Sequence, residues 1–120
     1  MDKINLAEKF ELVQEHWHPH IIAELDSYDI KVAKIAGEFV WHKHDDADEM
    51  FLIIKGEMNM EMRERTVSLS AGEMIVVPKG VEHRPTAQDE CEIILFERRG
   101  LVNTGDAEKS ELTRDQLERI

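Results

Sequence analysis

Three histidines and one glutamate in this chain have the types and spacing that hold a divalent metal ion. They lie in two short stretches, Gly37, His42, His44, Glu49, Gly56 and Gly72, Pro78, Gly80, His83. Neutral imidazole and ionised carboxylate are ordinary ligands for first-row divalent metals. On an extended segment residues two apart share a face, so His42 and His44 project to one side together with Val40. Glu49 opens the next run, and Phe51 and Ile53 share its face. A carboxylate on an apolar face needs a partner, because burying it alone is costly. An ion held by the two histidines supplies that partner. His83 follows the turn Pro78-x-Gly80 and shares its face with Pro85 and Ala87. Taken singly, each histidine reads as a surface or turn residue. Taken as a set, the four read as one metal centre.

Three imidazoles and one carboxylate leave two adjacent positions open on a six-coordinate ion, for water, dioxygen or a chelating substrate. Fe(II) or Mn(II) suits that arrangement best, and Ni(II) is compatible. Zn(II) accepts the same donors but tends to be closed by four of them. The expectation is one divalent metal ion per chain. The inward wall is expected to comprise Val40, Phe51, Ile53, Met58, Met60, Met62, Ile93 and Leu95, with Phe39, Trp41 and Lys43 facing outward. The methionines offer a soft wall that can double as core. No inward Lys or Arg is read that would hold a phosphate, which weighs against a sugar-phosphate isomerase. The only tyrosine is Tyr28, so no His-Asp plus Tyr set for sugar epimerisation is read.

The elements that position these residues follow from periodicity. Asn5 and Glu8 form a capping-box pattern, and Leu6, Phe10, Val13 and Trp17 recur at helical spacing up to Pro19. From His20 the period switches to two. Strand-like runs cover His20–Leu25, Tyr28–Ala36, Glu38–His44, Glu49–Lys55, Glu57–Met62, Thr66–Leu69, Glu73–Pro78, His83–Ala87 and Cys91–Phe96. Turn signals separate them, and no helix intervenes, which indicates a sandwich or barrel. Thr113-x-x-Gln116 reads as the cap of a short final helix, Arg114–Ile120. The expected division is a helix over 1–19 packed outside, a barrel over 20–100 and a tail over 101–120.

Composition sets outer bounds. A chain of 120 residues is one domain. Hydrophobic residues at 42% supply a core, and aromatics at 6% mean that aliphatic and Met side chains fill it. A net charge of −11 argues against nucleic acid or an anionic membrane as partner. No apolar run approaches the roughly 18 residues of a membrane span, and the charged start does not read as a signal peptide. Cys91 is the only cysteine, so no internal disulfide forms, and a cytoplasmic location is expected. Cys91 shares a face with Ile93 and Leu95 and reads as a buried small hydrophobe. His16, His18 and His20 read as a solvated junction broken by Pro19, and Asp45, Asp46 and Asp48 as a solvated loop. Arg63, Arg65 and Arg84 read as surface residues.

Gly37-x4-His42-x-His44-x4-Glu49-x6-Gly56 resembles the first cupin motif, and Gly72-x5-Pro78-x-Gly80-x2-His83 resembles the second. The resemblance spans about residues 20–100. The first motif is one residue shorter than usual between Gly37 and His42, and Ala87 stands where Asn is usual. The resemblance implies an all-β, double-stranded β-helix or jelly-roll barrel, with His42, His44, Glu49 and His83 as ligands. Cupins range from isomerases and dioxygenases to pure binding modules, so fold alone does not fix function. The expected function is a metal-dependent, oxygenase-like enzyme acting on a small, largely apolar or carboxylate-bearing chelating molecule. A non-catalytic small-molecule-binding or sensing module is the first alternative, and a sugar-phosphate isomerase-like cupin the second. The resemblance, open sheet edges and outward Phe39 and Trp41 together give the expectation of a homodimer.

Overall fold

Asn5 starts the chain's single helix. Its side chain accepts a hydrogen bond from the Glu8 N–H at 3.0 Å, satisfying one free donor of the first turn. The computed structural model describes residues 1–120, and α1 spans only Leu6–Glu11. The helix is shorter than its apolar stripe, which runs on to Trp17. Phe10 and Val13 are still buried, against Val32 and Ile94 on the outer face of the main sheet. Beyond them the backbone finds sheet partners instead of helical ones. The Trp17 N–H donates to the Lys34 carbonyl at 2.9 Å, with Trp17 in a left-handed conformation at φ 59.

Seven antiparallel strands follow: β1 His20–Leu25, β2 Tyr28–Glu38, β3 Glu49–Lys55, β4 Glu57–Met62, β5 Thr66–Ser70, β6 Met74–Val77 and β7 His83–Arg98. The order is β1-β2-β7-β3-β6, with β4 pairing both β5 and β7. Strand β7 is the hub. Its first residues pair with β4, from Met62↔His83 to Asn59↔Thr86, and its later ones pair with β3, from Ile53↔Ile93 to Glu49↔Glu97. It follows β2 along both halves. One long strand thus joins both halves of the seven-stranded sheet, as in a jelly-roll double-stranded β-helix. The two runs expected at His83–Ala87 and Cys91–Phe96 are parts of this one strand.

Alternation along β3 divides the barrel cleanly. Glu49, Phe51 and Ile53 are buried inside, while Met50, Leu52 and Ile54 lie half-buried on the outer face. The turn into β4 needs Gly56. Its φ is +89, and a Cβ there would sit 3.0 Å from the Glu90 carbonyl oxygen and 3.2 Å from Cys91 Cα. Cys91 itself is fully buried in the core, and burial pushes its thiol up to about 11.

Two expected elements do not form. The register of β2 shifts between Ile35 and Gly37, the strand ends at Glu38, and residues 39–48 carry no regular strand. They are anchored instead by a bridge between His42 and His83, whose backbone N–H and carbonyl groups exchange bonds of 3.0 and 2.9 Å. No helix forms over 114–120 either. There the chain lies along the open edge of β1: Ile21 N–H donates to Glu118 O at 2.9 Å, and Ile120 N–H to Ile21 O at 3.1 Å. The free edge offers those backbone groups partners, and Ile120 packs on the outer cluster. The tail thereby covers one sheet edge, which blocks edge-to-edge pairing there. The edge strand β6 stays open, with Met74 54% and Val76 50% exposed.

Candidate metal centre

Each ligand is presented by a different local device. His42 is set by the bridge to His83. His44 is held by the same loop, its carbonyl accepting from Gly80 N–H at 2.8 Å. Glu49 is the first residue of β3 and His83 the first of β7. All four are buried, and one candidate ligand atom from each lies within 4.8 Å of every other. The ring Nδ1–H groups of His42 and His83 donate to the Val40 and Val81 carbonyls, both at 2.9 Å. That fixes the rings and leaves Nε2 of each as the free donor atom, the arrangement that metal-bound histidines show. Glu49 Oε1 lies 3.2 Å from His83 Nε2 and 3.5 Å from His44 Nε2.

The residues fit a divalent ion on two independent grounds. His44 Nε2 is buried without a hydrogen-bond partner, an orphan that a metal would satisfy. The protonation states also suit. Burial, and after it the neighbouring His83, pushes the His42 imidazole down to about 4, so it is neutral and ready to ligate. Burial raises the Glu49 carboxyl, but the polar neighbours Glu97, His44 and His83 outweigh that and hold it well below its usual range. Glu97 behaves in the opposite way: burial, then the charge of Glu49, pushes it well above the usual range, and Lys31 offsets this in part.

A cavity of about 40 Å³ opens onto His42, Glu49 and Glu97. Phe51, Ile93 and Leu95 line it, joined by Trp17, Pro19, Ala33, Ile35, Phe39, Pro85 and Asn103. Ile53, Met58 and Met60 do not reach it; they are buried in the barrel core with Leu69. Met62 lines a separate surface groove with Arg63 and Ile75. Val40 is half-buried and outside the cavity, whereas Phe39, expected outward, is buried on its wall. Strict alternation fails there because residues 39–48 are not a strand. Trp17 stacks on Phe39 with ring centroids 4.8 Å apart, and Phe39 meets His42 edge-on at 5.4 Å. Trp41 lies half-buried beneath the Arg63 guanidinium, 3.8 Å from its ring.

The sequence reading missed Lys31 and Glu97, both buried, with Lys31 Nζ donating to Glu97 Oε1 at 2.6 Å. A signal was present. Lys31 alternates with Ala33 and Ile35, and Glu97 with Ile93 and Leu95, so the argument applied to Glu49 places both inside. An inward lysine therefore exists, but it is matched by a carboxyl and is not among the cavity-lining residues. Asn103 and Gly105 were also missed, because a polar tail carries no period. The histidines at 16, 18 and 20 lie apart from the centre: His16 pairs with Glu90 at 2.9 Å, and His18 stacks on His20 at 4.7 Å.

The same shifts set the acid stability of the metal-free protein. His42 is lowered from 6.5 to about 4, so its contribution is present above 6.5 and lost as pH falls through 4, about 3 kcal/mol at most. Glu97 is raised, so its contribution is full below 4.5 and lost as pH rises through its folded value. Between 6.5 and 4.5 the two oppose each other. Below 4.5 only losses remain, from Glu49 and the last of His42. Urea midpoints of chelator-stripped protein should fall most steeply below pH 4.5, where no gain opposes the losses. A steepest fall above 4.5 would contradict these assignments.

Comparison with known proteins agrees with the fold. The model of the cupin domain family matches residues 30–97. An uncharacterised protein of Bacillus subtilis (strain 168), YdbB, is 34% identical over 64 residues, which span 52% of this chain and 57% of that protein. A crystal structure of a cupin-2 domain protein from Shewanella frigidimarina is 48% identical, with a TM-score of 0.79 over 80% of this chain and 94% of that one. A protein from Neisseria meningitidis is 31% identical, with a TM-score of 0.75 over 81% of this chain and 99% of that one. Two structures at 15% identity, a hydroquinone 1,2-dioxygenase and a putative sugar phosphate isomerase, share the fold alone, with TM-scores of 0.67 and 0.55. No helix of the chain is long and apolar enough to cross a membrane. With two motifs in order, a jelly-roll barrel and four converging ligands, the chain belongs to the cupin domain family.

Proposed function

We propose that the protein is a metal-dependent, oxygenase-like enzyme acting on a small, largely apolar or carboxylate-bearing molecule that chelates the ion. The supporting observation is the cavity: it opens onto His42 and Glu49, and Trp17, Phe39, Phe51, Ile93 and Leu95 make its wall apolar. A bound Fe(II) or Mn(II) would supply two open coordination positions and the capacity to take part in oxidation. The remaining work falls to the chain. His42 and His83 are locked by carbonyl hydrogen bonds, so the ligand set is preorganised. The aromatic wall excludes water from the reacting centre. A water needs roughly 10–15 Å³ of such space, so about 40 Å³ admits a ligand of only a few heavy atoms unless the wall moves.

A phosphosugar is disfavoured by charge as well as size. Lys31, the one lysine buried inside the barrel, is matched by Glu97, and no free cation lines the cavity. Desolvating a dianion there with the metal alone to offset it costs several kcal/mol. Fe(II)-loaded protein should consume dioxygen when given small catechols, 2-oxoacids or diketones, and should be inert toward mannose 6-phosphate. Isomerisation of that sugar at a kcat/KM of about 10⁴ M⁻¹s⁻¹ or more would contradict the proposal. Tight binding of a small chelator with no oxygen uptake on any substrate would favour the sensing module instead.

The functional unit in this proposal is a homodimer. Its basis is not Phe39 or Trp41, which the fold covers, but the outer face of β3 and β6. Met50, Leu52 and Ile54 are half-buried there, and Met74 and Val76 are about half exposed on an open edge. Sedimentation at micromolar concentration should give a dimer, and Val76→Lys should shift it toward monomer. A 13.9 kDa species in the unaltered protein would count against this.

A further inference from the structure

We propose that Lys31 and Glu97 are a positioning pair for the metal centre: Lys31 fixes Glu97, and Glu97 holds the ligand carboxylate of Glu49 toward the three histidines. This rests on the metal-centre reading and extends it to residues outside the ligand set. The placement comes from the strands. Glu97 on β7 is the cross-strand partner of Glu49 on β3, both side chains are buried, and both line the same cavity. Lys31 enters from β2 on the other side of β7, opposite Leu95, and its Nζ reaches Glu97 Oε1 at 2.6 Å. Three strands thus set Lys31, Glu97 and Glu49 in one buried row that leads to His44 and His83.

Packing does not account for the pair. Both side chains are 2% exposed, and a buried pair of this kind adds little net stability over apolar residues of the same size. Nor is it hydrogen-bonded to completion, because Glu97 Oε2 has no partner. What the pair does is local. Two adjacent buried carboxyls without a cation would push apart, and Glu49 has room to turn toward the cavity it lines. Lys31 supplies the balancing charge from behind and pins one oxygen of Glu97. Glu97 is then held beside Glu49, its cross-strand neighbour. Partners of this kind behind a ligand typically change metal affinity 10–100-fold when removed.

The test uses Co(II) alone, added to chelator-stripped full-length protein, with affinity read by chelator competition and coordination read from the visible spectrum. Lys31→Met combined with Glu97→Leu removes both charges at similar volume and should fold. It should bind Co(II) about 10–100-fold more weakly with shifted bands. Glu97→Gln keeps a group that accepts from Lys31 and donates to Glu49, and should stay within about threefold of the unaltered protein with the same spectrum. A merely structural role would lower the melting temperature and leave the bands in place. Should the paired variant not fold, Lys31→Arg is read the same way: it keeps the charge and moves the contact point. Affinity within threefold and unchanged bands in the folded variant would overturn the proposal. If the unaltered protein itself takes up no Co(II), the metal-centre reading fails instead, which this design separates from failure of the pair.

Discussion

Chelator-stripped protein carrying His42→Ala together with His44→Ala should take up no stoichiometric divalent ion and gain no thermal stability from one. The unaltered protein should gain about 2.7 kcal/mol at a free metal concentration one hundred times Kd. The expectation follows from where the donors sit. His42 Nε2 and His44 Nε2 are half of the four-atom set, and what remains is Glu49 with His83, 3.2 Å apart. Two ligands of that kind make a hydrogen bond rather than a site. The double variant also leaves Glu49 as a buried carboxylate with one imidazole fewer, so a lower melting temperature without metal is expected as well. Calorimetric titration with Mn(II) and a parallel melting series measure both. Metal uptake at unchanged affinity would move the site elsewhere, with His16, His18 and His20 as the leading group.

Gly105→Ala should cost several kcal/mol and weaken metal binding at least tenfold, although residue 105 ligates nothing. The polar tail passes directly over the centre. Asp106 N–H donates to Lys43 O at 3.1 Å, and Lys43 N–H donates to Asp106 Oδ1 at 2.8 Å. Between these bonds Gly105 has φ +54. A Cβ there would overlap the Lys43 carbonyl oxygen and sit 3.0 Å from His42 Cδ2. The left-handed backbone alone costs an L-residue roughly 1–2 kcal/mol, and forcing an atom into a packed contact adds about 1–3 kcal/mol. Relief requires moving either the tail or the loop that carries His42 and His44. Gly72→Ala is the control. Its φ is +87, but nothing lies within 4 Å of the added atom, so it should show the backbone cost alone and full metal affinity. Urea unfolding and chelator competition on both variants decide the matter. Equal behaviour of the two would contradict the claim that the tail braces the centre.

The four candidate ligands were legible because each combines an unusual residue type with a neighbouring constraint. Glu49 alternates with Phe51 and Ile53, and His83 follows a glycine turn. The barrel was legible from period-two runs separated by turn residues. The wall was less so, for two physical reasons. Alternation holds only within a strand, and residues 39–48 form none, so Phe39 and Val40 exchange the places expected of them. In addition, β4 faces the core behind the cavity, which hides Met58 and Met60. Lys31 and Glu97 obeyed alternation and were overlooked because a buried lysine is rare. The bracing tail offered no pattern at all: Asn103, Gly105 and Asp106 act through backbone geometry and single hydrogen bonds, which leave no period in the sequence.

Metal analysis of protein purified anaerobically, without chelators or affinity metals, tests the central claim most directly. The expected result is one first-row transition-metal ion per chain, Fe(II) or Mn(II), retained through dialysis and released only by chelator or acid. Protein isolated without metal that also takes up none from equimolar Fe(II) or Mn(II) would contradict it.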